Sequence, residues 1–516
     1  MIRSIRNVFR VVRIARTLAR HDALFPLESL HLPAAAIRAI NFVAGRPKPS
    51  PGRRPGQRLS DALQELGPSF VKFGQSLSTR ADLVGEDVAA DLAELQDRLP
   101  PFPTPQARQI IESEFDQPLE ELYSEFDDEA VAAASIAQVH YAVTSEGHEV
   151  AVKVVRPGVE QAFQQDLDLF YWVAEIIEQL QPAFRRLRPV DIVRIFNETV
   201  DLEMDLRLEA AAASELREHF EDDPTYRVPE IDWQRTQRQV LTAERIHGIP
   251  IDDRETLSEA GHNLEEVAGK TLVSFLKQVF RDGFFHADMH AGNLFVDEDG
   301  NIVAVDFGIM GRLDRETRRF VAELLLAFLM GDYRRAAEVH FEAGYVPRTK
   351  SVEAFTQACR SIGEPILGKP VNEISVARLL AQLFRITETF AMPTQPQLLL
   401  LQKTMMMVEG ACRRLAPEAN FWELSKPFLE EWVSQNLSAE ARVRDTIEEA
   451  AATARKIPNM LEKAQMAADV LTPEGIRLHP DSERAIGSQF GSRRNFVQFV
   501  LILVIAIFTL VILFKL

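Results

Sequence analysis

Apolar residues recur every three or four positions along most of this chain, a pattern that predicts a largely helical protein. Segment 58–125 contains two such stretches, and Gly67-Pro68 between them predicts two separate helices. Residues 130–156 differ, because β-rich runs at 139–143 and 150–155 flank a Ser-Glu-Gly turn and predict two paired strands. The pattern therefore predicts a helical N-terminal segment followed by a sheet.

Further along, a helical run is predicted over 196–220, and Val240–Gly248 has the pattern of a strand that leads to a break. Amphipathic helices then dominate to about residue 440, except at Phe285–Gly308. In that stretch two short apolar runs flank the turn residues Asp297–Gly300, which predicts a β-hairpin.

The first twenty residues hold six arginines at three- to four-residue spacing and no acidic residue. Apolar residues lie between the arginines, so the pattern predicts a basic amphipathic helix, and we expect region 1–44 to lie on an anionic membrane surface. The alternative is a solvated helix that packs on the body of the protein. Residues 45–57 are rich in Pro, Gly and basic residues and are predicted to be a linker.

Near the C-terminus, residues 496–514 form a run of nineteen residues without a charge. As a helix this run would be roughly 28 Å long, close to the thickness of a bilayer's hydrocarbon core. Arg493 and Arg494 precede it, and this positive flank predicts a single-pass tail anchor with the preceding domain on the cytoplasmic side. Residues 441–495 are predicted to be a helical and then polar connector.

Composition narrows the class of protein. The chain of 516 residues is 46% hydrophobic and 26% charged, as expected of a folded globular protein. Its net charge of −18 argues against nucleic acid as a partner. The two cysteines, Cys359 and Cys412, suggest neither a metal site nor a disulfide framework and fit a reducing compartment.

The predicted hairpin carries the clearest chemistry in the chain. Asn293 precedes its first strand and Asp306 follows its second, so a tight turn would bring the two side chains together. With Asp288 five residues before Asn293, the spacing matches the catalytic loop and Asp-Phe-Gly of kinases. Carboxylate and amide oxygens suit Mg²⁺ on a nucleotide's phosphates. The alternative is that these are ordinary turn residues, since Asp, Asn and Gly favour loops.

Lys153 lies inside the second β-rich run, where a charged side chain is usually unfavourable. It can reach a nucleotide's phosphates, as in the kinase Val-Ala-Ile-Lys strand, although an outward-facing lysine on an edge strand is an alternative. On one helix over 196–220, Asp205 would lie about 40° from Glu209 and Glu203 about 120° away. Glu209 is the candidate partner of Lys153, in the role of the kinase helix-C glutamate, and Glu203 would then point elsewhere, toward the N-terminal segment. Simple solvation of these glutamates is the alternative.

Alanines stand where a kinase has its glycine-rich loop. The segment reads Ala132, Ala133, Ala134 and Ser135. Each Cβ limits how closely backbone amides approach a phosphate, so phosphate binding should differ from that of an ordinary protein kinase. The strand that contains Glu244 is expected to present backbone groups to adenine, as a kinase hinge does. ATP and Mg²⁺ are the expected cofactors.

With these residues assembled, the chain resembles the UbiB family of atypical, kinase-like proteins required for ubiquinone biosynthesis. The most specific match is Lys72-Phe73-Gly74-Gln75, the family's Lys-x-Gly-Gln motif, and Glu203-x-Asp205 and the alanine-rich loop match as well. The resemblance implies an α+β, bilobal protein-kinase-like fold. It would have a helical N-terminal extension at 58–125, an N-lobe at 126–248 and a C-lobe at 249–440, with a C-terminal transmembrane helix.

The resemblance also implies roles for individual residues. Lys153 would bind nucleotide phosphates and pair with Glu209. Asn293 and Asp306 would hold the metal, and Asp288 would occupy the catalytic-base position. The Lys-x-Gly-Gln helix would lie over the site where a protein kinase admits its peptide, with Lys72 reaching toward the Glu203-x-Asp205 pair. The implied regulatory residues are Lys72, Gly74, Gln75, Glu203 and Asp205.

Phosphorylation of other proteins is disfavoured by the sequence. Ala287 stands where many kinases carry the arginine that pairs with an activation-loop phosphate, and the helical pattern resumes soon after Asp-Phe-Gly. The intervening segment has Thr317 as its only hydroxyl residue. Met289 and Ala291 replace two prolines of the family's common loop pattern and are expected to loosen the loop.

The leading hypothesis is a membrane-anchored ATPase that handles hydrophobic polyprenyl-quinone precursors for the enzymes of ubiquinone biosynthesis. A bacterial inner membrane is the expected location, with the mitochondrial inner membrane as the alternative. One alternative function is a lipid or small-molecule kinase, and another is a non-catalytic lipid-binding scaffold that uses nucleotide as a switch. A homodimer stays open, although no Gly-x-x-x-Gly pattern in the tail supports one.

Overall fold

The computed structural model describes residues 2–23, 52–78, 84–93, 95, 100–180, 189–365, 386, 389–392 and 395–419, with a few short pieces beyond them. The chain forms two compact units, Met1–Trp432 and Val433–Leu516. The described residues of the second unit include a short antiparallel strand pair, Leu471–Thr472 with Gly475–Ile476. The site lies within the first unit.

Among the described residues of the N-terminal part there are four helices, in the order α1 (Ile2–Arg20), α2 (Pro55–Leu66), α3 (Pro68–Ser78) and α4 (Glu86–Ala93). Gly67 lies between α2 and α3 with φ of +114°, so the predicted division into two helices is confirmed. The predicted linker, 45–57, ends earlier than expected, because Pro55 opens α2 at a position where its missing N–H costs nothing.

Helix α1 packs on the protein with one face. Ala15, Thr17 and Ala19 are buried, and Ile14 and Leu18 join the apolar cluster of α2, α3 and α4. Ile2–Arg20 therefore has the arrangement considered as the alternative from the sequence, a helix packed on the body, and contact of region 1–44 with a membrane stays a prediction.

A five-stranded antiparallel sheet follows, preceded by helices α5 (Thr104–Phe115) and α6 (Leu119–Leu122). Its strands are β1 (Tyr123–Phe126), β2 (Ala132–Ala133), β3 (Ala137–Thr144), β4 (Glu149–Val155) and β6 (Val240–Glu244). The order is β1-β3-β4-β6, with β2 paired to β3. Strand β1 begins before the predicted N-lobe boundary at 126. On β4, Val152 and Val154 are fully buried in a cluster with α5, which turns Lys153 to the other face of the sheet.

Between β4 and β6, the described residues form the helices α7 (Val159–Leu180), α8 (Pro189–Glu203) and α9 (Leu206–His219). The single helix predicted over 196–220 is wrong, because the chain breaks between α8 and α9. Asp205 has an extended backbone there, and its carboxylate accepts from the Arg207 amide at 3.2 Å as the N-cap of α9. This break reorients Glu203 relative to Glu209.

The C-terminal part holds short strands and further helices. Its strands are β5 (Tyr226–Arg227), β7 (Ile249–Pro250), β8 (Phe284–His286), β9 (Leu294–Val296), β10 (Ile302–Ala304) and β11 (Met310–Arg312). Its helices are α10 (Arg254–Glu259), α11 (Leu264–Leu276), α12 (Arg315–Leu329), α13 (Tyr333–Glu342), α14 (Val352–Gly363) and α15 (Pro396–Leu415). A π-helical turn, Lys277–Asp282, joins α11 to β8.

Among the residues that the structure describes, none of the helices has the length and apolar character needed to cross a bilayer. The predicted anchor at 496–514 lies outside the described residues, as does almost all of the predicted connector at 441–495. The anchor therefore stays a prediction.

Candidate functional site

The predicted hairpin is present as strands β9 and β10. Ile302 pairs with Val296 and Ala304 with Leu294, and the Val305 amide donates to the Asn293 carbonyl oxygen at 3.0 Å. At the turn, the Asp297 carboxylate accepts from the Asn301 amide at 2.7 Å. The pairing register brings Asn293 and the start of Asp-Phe-Gly to the same end of the hairpin.

Lys153 joins three separate elements at this end of the hairpin. Its Nζ lies 2.7 Å and 2.9 Å from the two carboxylate oxygens of Glu209 on α9, and 3.0 Å from Oδ1 of Asp306. The side chains of Lys153 and Glu209 are 19% and 9% exposed, while that of Asp306 is 49% exposed. The ion pair expected between Lys153 and Glu209 is thus present, and the nucleotide-binding role of Lys153 stays a prediction.

Electrostatics fix the charges of this cluster. The Lys153 ammonium holds the pKa of Asp306 well below its usual range, with a smaller contribution from Lys72. Burial opposes a charged Lys153, but Asp306 and Glu209 outweigh it and raise the lysine's pKa above its ordinary value. Burial raises the pKa of Glu209, although Lys153 counteracts the effect. At neutral pH the site therefore holds a cationic Lys153 beside an ionised Asp306.

The backbone of Asp306 adopts an uncommon conformation. Its φ is +63°, in the left-handed region that non-glycine residues rarely occupy. Such conformations cost free energy and tend to occur at functional sites. This one brings the Asp306 carboxylate to Lys153.

The predicted catalytic loop around Asp288 is held by hydrogen bonds of its own residues, His286, Asp288 and Asn293. The Asp288 amide donates to Nδ1 of His286 at 3.1 Å, and Nδ2 of Asn293 donates to the Asp288 carbonyl oxygen at 3.1 Å. His286 Nε2 therefore carries the proton and donates to the Val305 carbonyl oxygen at 3.1 Å. Burial lowers the pKa of His286, which keeps this tautomer neutral.

The loop is not loosened by its missing prolines. Met289 is fully buried and Ala291 is 8% exposed, and both belong to the large apolar cluster beneath the loop. The expectation that these residues loosen the loop is wrong, because their side chains anchor it in the core.

The Lys-x-Gly-Gln segment lies on α3 and reaches the N-lobe. Lys72 Nζ lies 2.9 Å from Glu203 Oε2, and Gln75 Nε2 donates to the Leu95 carbonyl oxygen at 3.4 Å. A Cβ on Gly74 would lie 2.7 Å from a methyl carbon of Leu63 and from one of Leu95, so a larger residue there would require these two side chains to shift. Their regulatory role stays a prediction.

Asp205 does not share the Lys72 contact that the sequence suggested for the Glu203-x-Asp205 pair. Its carboxylate oxygens accept from Nε and Nη2 of Arg207 at 2.8 Å and 2.7 Å. Asp205 therefore acts locally, as the cap of α9.

The alanine-rich segment is strand-like and not an open loop. Ala132 pairs with Val139, Ala133 pairs with Gln138, and the Ala134 amide donates to the Ala137 carbonyl oxygen at 2.8 Å. Ser135 is fully buried. The Ala134 amide is thus committed to this hairpin, which agrees with the expectation that phosphate binding differs from a glycine-rich loop.

Glu244 ends β6, where a hinge was expected. Its amide donates to the Glu230 carbonyl oxygen at 2.8 Å, and its carboxylate forms an ion pair with Arg227. Both groups have partners within the protein, and a role for Glu244 in adenine recognition, including one for its carbonyl oxygen, stays a prediction.

The donor set near the hairpin fits Mg²⁺ in part. Because Nδ2 of Asn293 donates to the Asp288 carbonyl oxygen, its Oδ1 is the atom with which Asn293 could bind a metal, together with the Asp306 carboxylate at the same end of the hairpin. Within the described part of the chain, no group of three or more His, Cys, Asp or Glu side chains could hold a metal by itself. Mg²⁺ typically takes one or two protein oxygens and completes its shell with phosphate oxygens and water, so the two residues fit it.

Sequence reasoning missed the side chains around Asp288. Lys403 of α15 lies 3.6 Å from Asp288 Oδ1, and His290 lies 3.8 Å from Oδ2. Lys403 sits in a helical pattern more than a hundred residues from the loop, so no local motif indicated it.

An antiparallel sheet with a Lys–Glu pair, joined to a catalytic loop and an Asp-Phe-Gly hairpin, defines an α+β kinase-like protein of an atypical kind. Residues 94–340 match the ABC1 atypical kinase-like domain, and residues 359–420 match the UbiB helical domain. The chain belongs to the UbiB family. That membership implies ATP binding and a role in ubiquinone biosynthesis, as the sequence had suggested.

Curated bacterial relatives support this membership. "Probable protein kinase UbiB" of Marinobacter nauticus is 44% identical, over 84% of this chain and 80% of the relative. The protein of the same name from Serratia proteamaculans is 42% identical, over 89% and 85%.

A solved Mycobacterium tuberculosis protein in complex with erythromycin is 25% identical, with a TM-score of 0.46, over 70% of this chain and 93% of that one.

Proposed function

We propose that this chain is a membrane-anchored atypical ATPase that couples Mg²⁺-ATP hydrolysis to the handling of hydrophobic quinone precursors in ubiquinone biosynthesis. The observation that carries the proposal is the Lys153 ammonium shared by Glu209 at 2.7 Å and Asp306 at 3.0 Å. A buried Lys–Glu pair beside Asp-Phe-Gly is the arrangement with which kinases position nucleotide phosphates.

The chain's own residues have distinct roles in this proposal. Lys153 contacts the phosphates and is oriented by Glu209. Asp306 and Oδ1 of Asn293 hold Mg²⁺, which neutralises phosphate charge when bound. Asp288 occupies the position that receives a proton from the attacking nucleophile.

Two features favour water over a protein as the phosphoryl acceptor. The chain passes from Asp-Phe-Gly through β11 directly into α12, whose N-cap Asp314 accepts from the Thr317 amide at 2.7 Å. The short connection leaves little chain for a platform that would bind a peptide. In addition, Lys72 of α3 lies close enough to lower the pKa of Asp306. Helix α3 of the N-terminal extension therefore lies near the site, where a protein substrate would have to enter.

The membrane part of the proposal rests on the sequence. Residues 496–514 are long and apolar enough to span a bilayer, and their positive flank favours a cytoplasmic catalytic domain at a bacterial inner membrane. A tethered site would meet polyprenyl-phenol precursors in the lipid phase and present them to the soluble enzymes that modify them.

The fate of the terminal phosphate of ATP tests the proposal. The full chain in vesicles of membrane lipid extract receives terminally radiolabelled ATP, and free phosphate is the expected product. Lys153→Met should lower its release by at least about 100-fold, since a charge aimed at the phosphates is lost. Lys350→Met, at a lysine that contacts the Thr389 carbonyl oxygen, is the matched control and should leave release unchanged. Label found mainly in a lipid would contradict the ATPase proposal and favour a lipid kinase.

A further inference from the structure

The carboxylate of Asp288 lies between two basic side chains. Nζ of Lys403 is 3.6 Å from Oδ1, and Nε2 of His290 is 3.8 Å from Oδ2. His290 belongs to the catalytic loop, whereas Lys403 belongs to α15, within the segment that matches the UbiB helical domain. Oδ1 of Asp288, the candidate base, therefore faces the ammonium of Lys403, which lies outside the segment that matches the kinase-like domain.

A buried contact next to Lys403 fixes α15 against the loop. Oγ1 of Thr404, which is fully buried, lies 3.0 Å from the Ala287 carbonyl oxygen and 2.9 Å from the Leu400 carbonyl oxygen. The single hydroxyl proton is shared between these two acceptors. Val408, one turn further along α15, packs in the same apolar cluster as Met289 of the loop. Because Lys403 directly precedes Thr404, this anchoring determines where the lysine reaches.

The loop's own hydrogen bonds hold the main chain of Asp288. His286 accepts from its amide, and Asn293 donates to its carbonyl oxygen, each at 3.1 Å. These bonds do not fix the rotation of the side chain about Cα–Cβ. The orientation of the carboxylate depends instead on what its two oxygens contact.

We propose that Lys403 is a positioning residue that orients the Asp288 carboxylate, so that the helical domain completes the catalytic loop. Ala287 replaces the arginine with which many kinases sense a phosphorylated activation loop, and its carbonyl oxygen is held by α15 instead. The loop is thereby ordered by folding and not by a modification. This inference rests on the proposed ATP turnover and adds a residue to it.

Steady-state kinetics of the full chain test the proposal. Lys403→Met should lower kcat for phosphate release by about 10- to 100-fold, as expected of a misplaced catalytic group. The KM for ATP should change by less than about two-fold, because the lysine acts through Asp288 and not on the nucleotide. Lys403→Arg, which keeps the charge, should restore most of kcat. A raised KM with an unchanged kcat would overturn the positioning role.

The matched control lies on the same helix. Arg413→Met also removes a cation from α15, but Arg413 pairs with Glu409 and lies about 15 Å along the helix from Lys403. Its kcat should equal that of the wild type. In addition, the loss caused by Lys403→Met should largely disappear when Asp288→Asn is already present, because the lysine then has no carboxylate to orient. Full additivity of the two losses would contradict the proposal.

A second measurement does not depend on turnover. In a crystal structure of Lys403→Met the Asp288 carboxylate should adopt a different or mixed side-chain rotamer, while the main chain of the loop keeps its position because its own hydrogen bonds remain. Lys403→Arg and Arg413→Met should keep the wild-type rotamer. If the wild type releases no phosphate, the proposed function fails, and the rotamer of Asp288 still decides whether Lys403 orients it. An unchanged rotamer in Lys403→Met would overturn the inference even if ATP turnover is established.

Discussion

Lys72 Nζ lies 2.9 Å from Glu203 Oε2, and the two side chains are only 13% and 14% exposed. The pair joins α3 of the N-terminal extension to the end of α8. Next to it, Phe73 stacks on Phe170 of α7 at a centroid distance of 4.8 Å and meets Phe196 of α8 edge-on at 5.4 Å. The extension is therefore attached by an ion pair in an apolar setting, where losing one partner leaves the other charge poorly solvated.

Breaking this pair should destabilise the protein. Either Lys72→Met or Glu203→Gln should lower the midpoint of thermal unfolding, with a cost of about 3–5 kcal/mol for a charge left without its partner. The exchanged pair, Lys72→Glu with Glu203→Lys, should recover more than half of the lost midpoint. Arg194→Met is the control, because Arg194 and Glu198 are 53% and 59% exposed. A pair of that kind contributes less than about 1 kcal/mol. An exchanged pair no more stable than the single variants would show that the charges do not interact.

Much of the central site could be predicted from the sequence because its signals are local. The turn residues at 297–300 between two apolar runs specify the hairpin, and the hairpin alone places Asn293 and Asp306 at its same end. Lys153 was identifiable because a lysine is usually unfavourable within a β-rich run unless it has a specific role. Glu209 was assigned by analogy with the helix-C glutamate of kinases, since the helical angles had assumed one unbroken helix. Apart from that analogy, these inferences needed residue type and spacing only.

The rest depended on packing between distant segments. The apolar pattern over 196–220 gives no sign of the break between α8 and α9. Asp205 acts as an N-cap only because the backbone is extended there in the folded chain. For α1, the same amphipathic pattern suits a membrane surface or a protein surface, and only the structure shows that Ile14 and Leu18 pack against other helices. Lys403 reaches Asp288 because α15 packs against the loop, and no sequence motif near either residue indicates this contact.

The stability of the N-lobe should depend on pH through His140. This ring is fully buried, Nδ1 donates to the Asp127 carbonyl oxygen at 2.8 Å, and Nε2 accepts from Gln138 at 2.7 Å. Burial lowers the pKa of His140 below 6.5, and it outweighs the opposing charges of Asp127 and Asp128, with Arg108 acting in the same direction as burial. The unfolded chain then binds a proton more readily, so the stabilisation is present above pH 6.5 and is lost as pH falls below it.

Unfolding midpoints between pH 7 and pH 5 check this effect. A single histidine contributes at most about 1.4 kcal/mol per pH unit. His140→Gln should flatten the pH dependence of the midpoint, even though it also lowers the midpoint at pH 7. The control is His247→Gln, at a side chain that is 63% exposed, and it should keep the slope of the wild type. A slope unchanged by His140→Gln would contradict the assignment.

The predicted anchor can be separated from the catalytic site. Deleting residues 496–514 should move the protein out of the membrane fraction and abolish the stimulation of ATP turnover by lipid vesicles, while turnover without vesicles is retained. Replacing the segment with an unrelated apolar helix of equal length should restore both properties, since a span is recognised by length and hydropathy. Fractionation and phosphate release measure the two effects. Equal ATP turnover on vesicles with and without residues 496–514 would contradict the proposed coupling of turnover to the membrane.

The strongest test of the biological role is Asp306→Asn in a bacterial strain whose own copy has been replaced. The substitution keeps the size of the side chain and the Lys153–Glu209 pair, but it removes the charge that faces Lys153 and the ligand expected to hold Mg²⁺. Lipid profiling should show a fall in ubiquinone of at least about ten-fold, as expected when phosphoryl-transfer electrostatics are lost. A polyprenyl-phenol precursor should accumulate in its place. The matched control is Asp299→Asn, at the exposed turn of the same hairpin, which should leave ubiquinone unchanged. Normal ubiquinone in the Asp306→Asn strain would show that the chain acts as a scaffold without turnover.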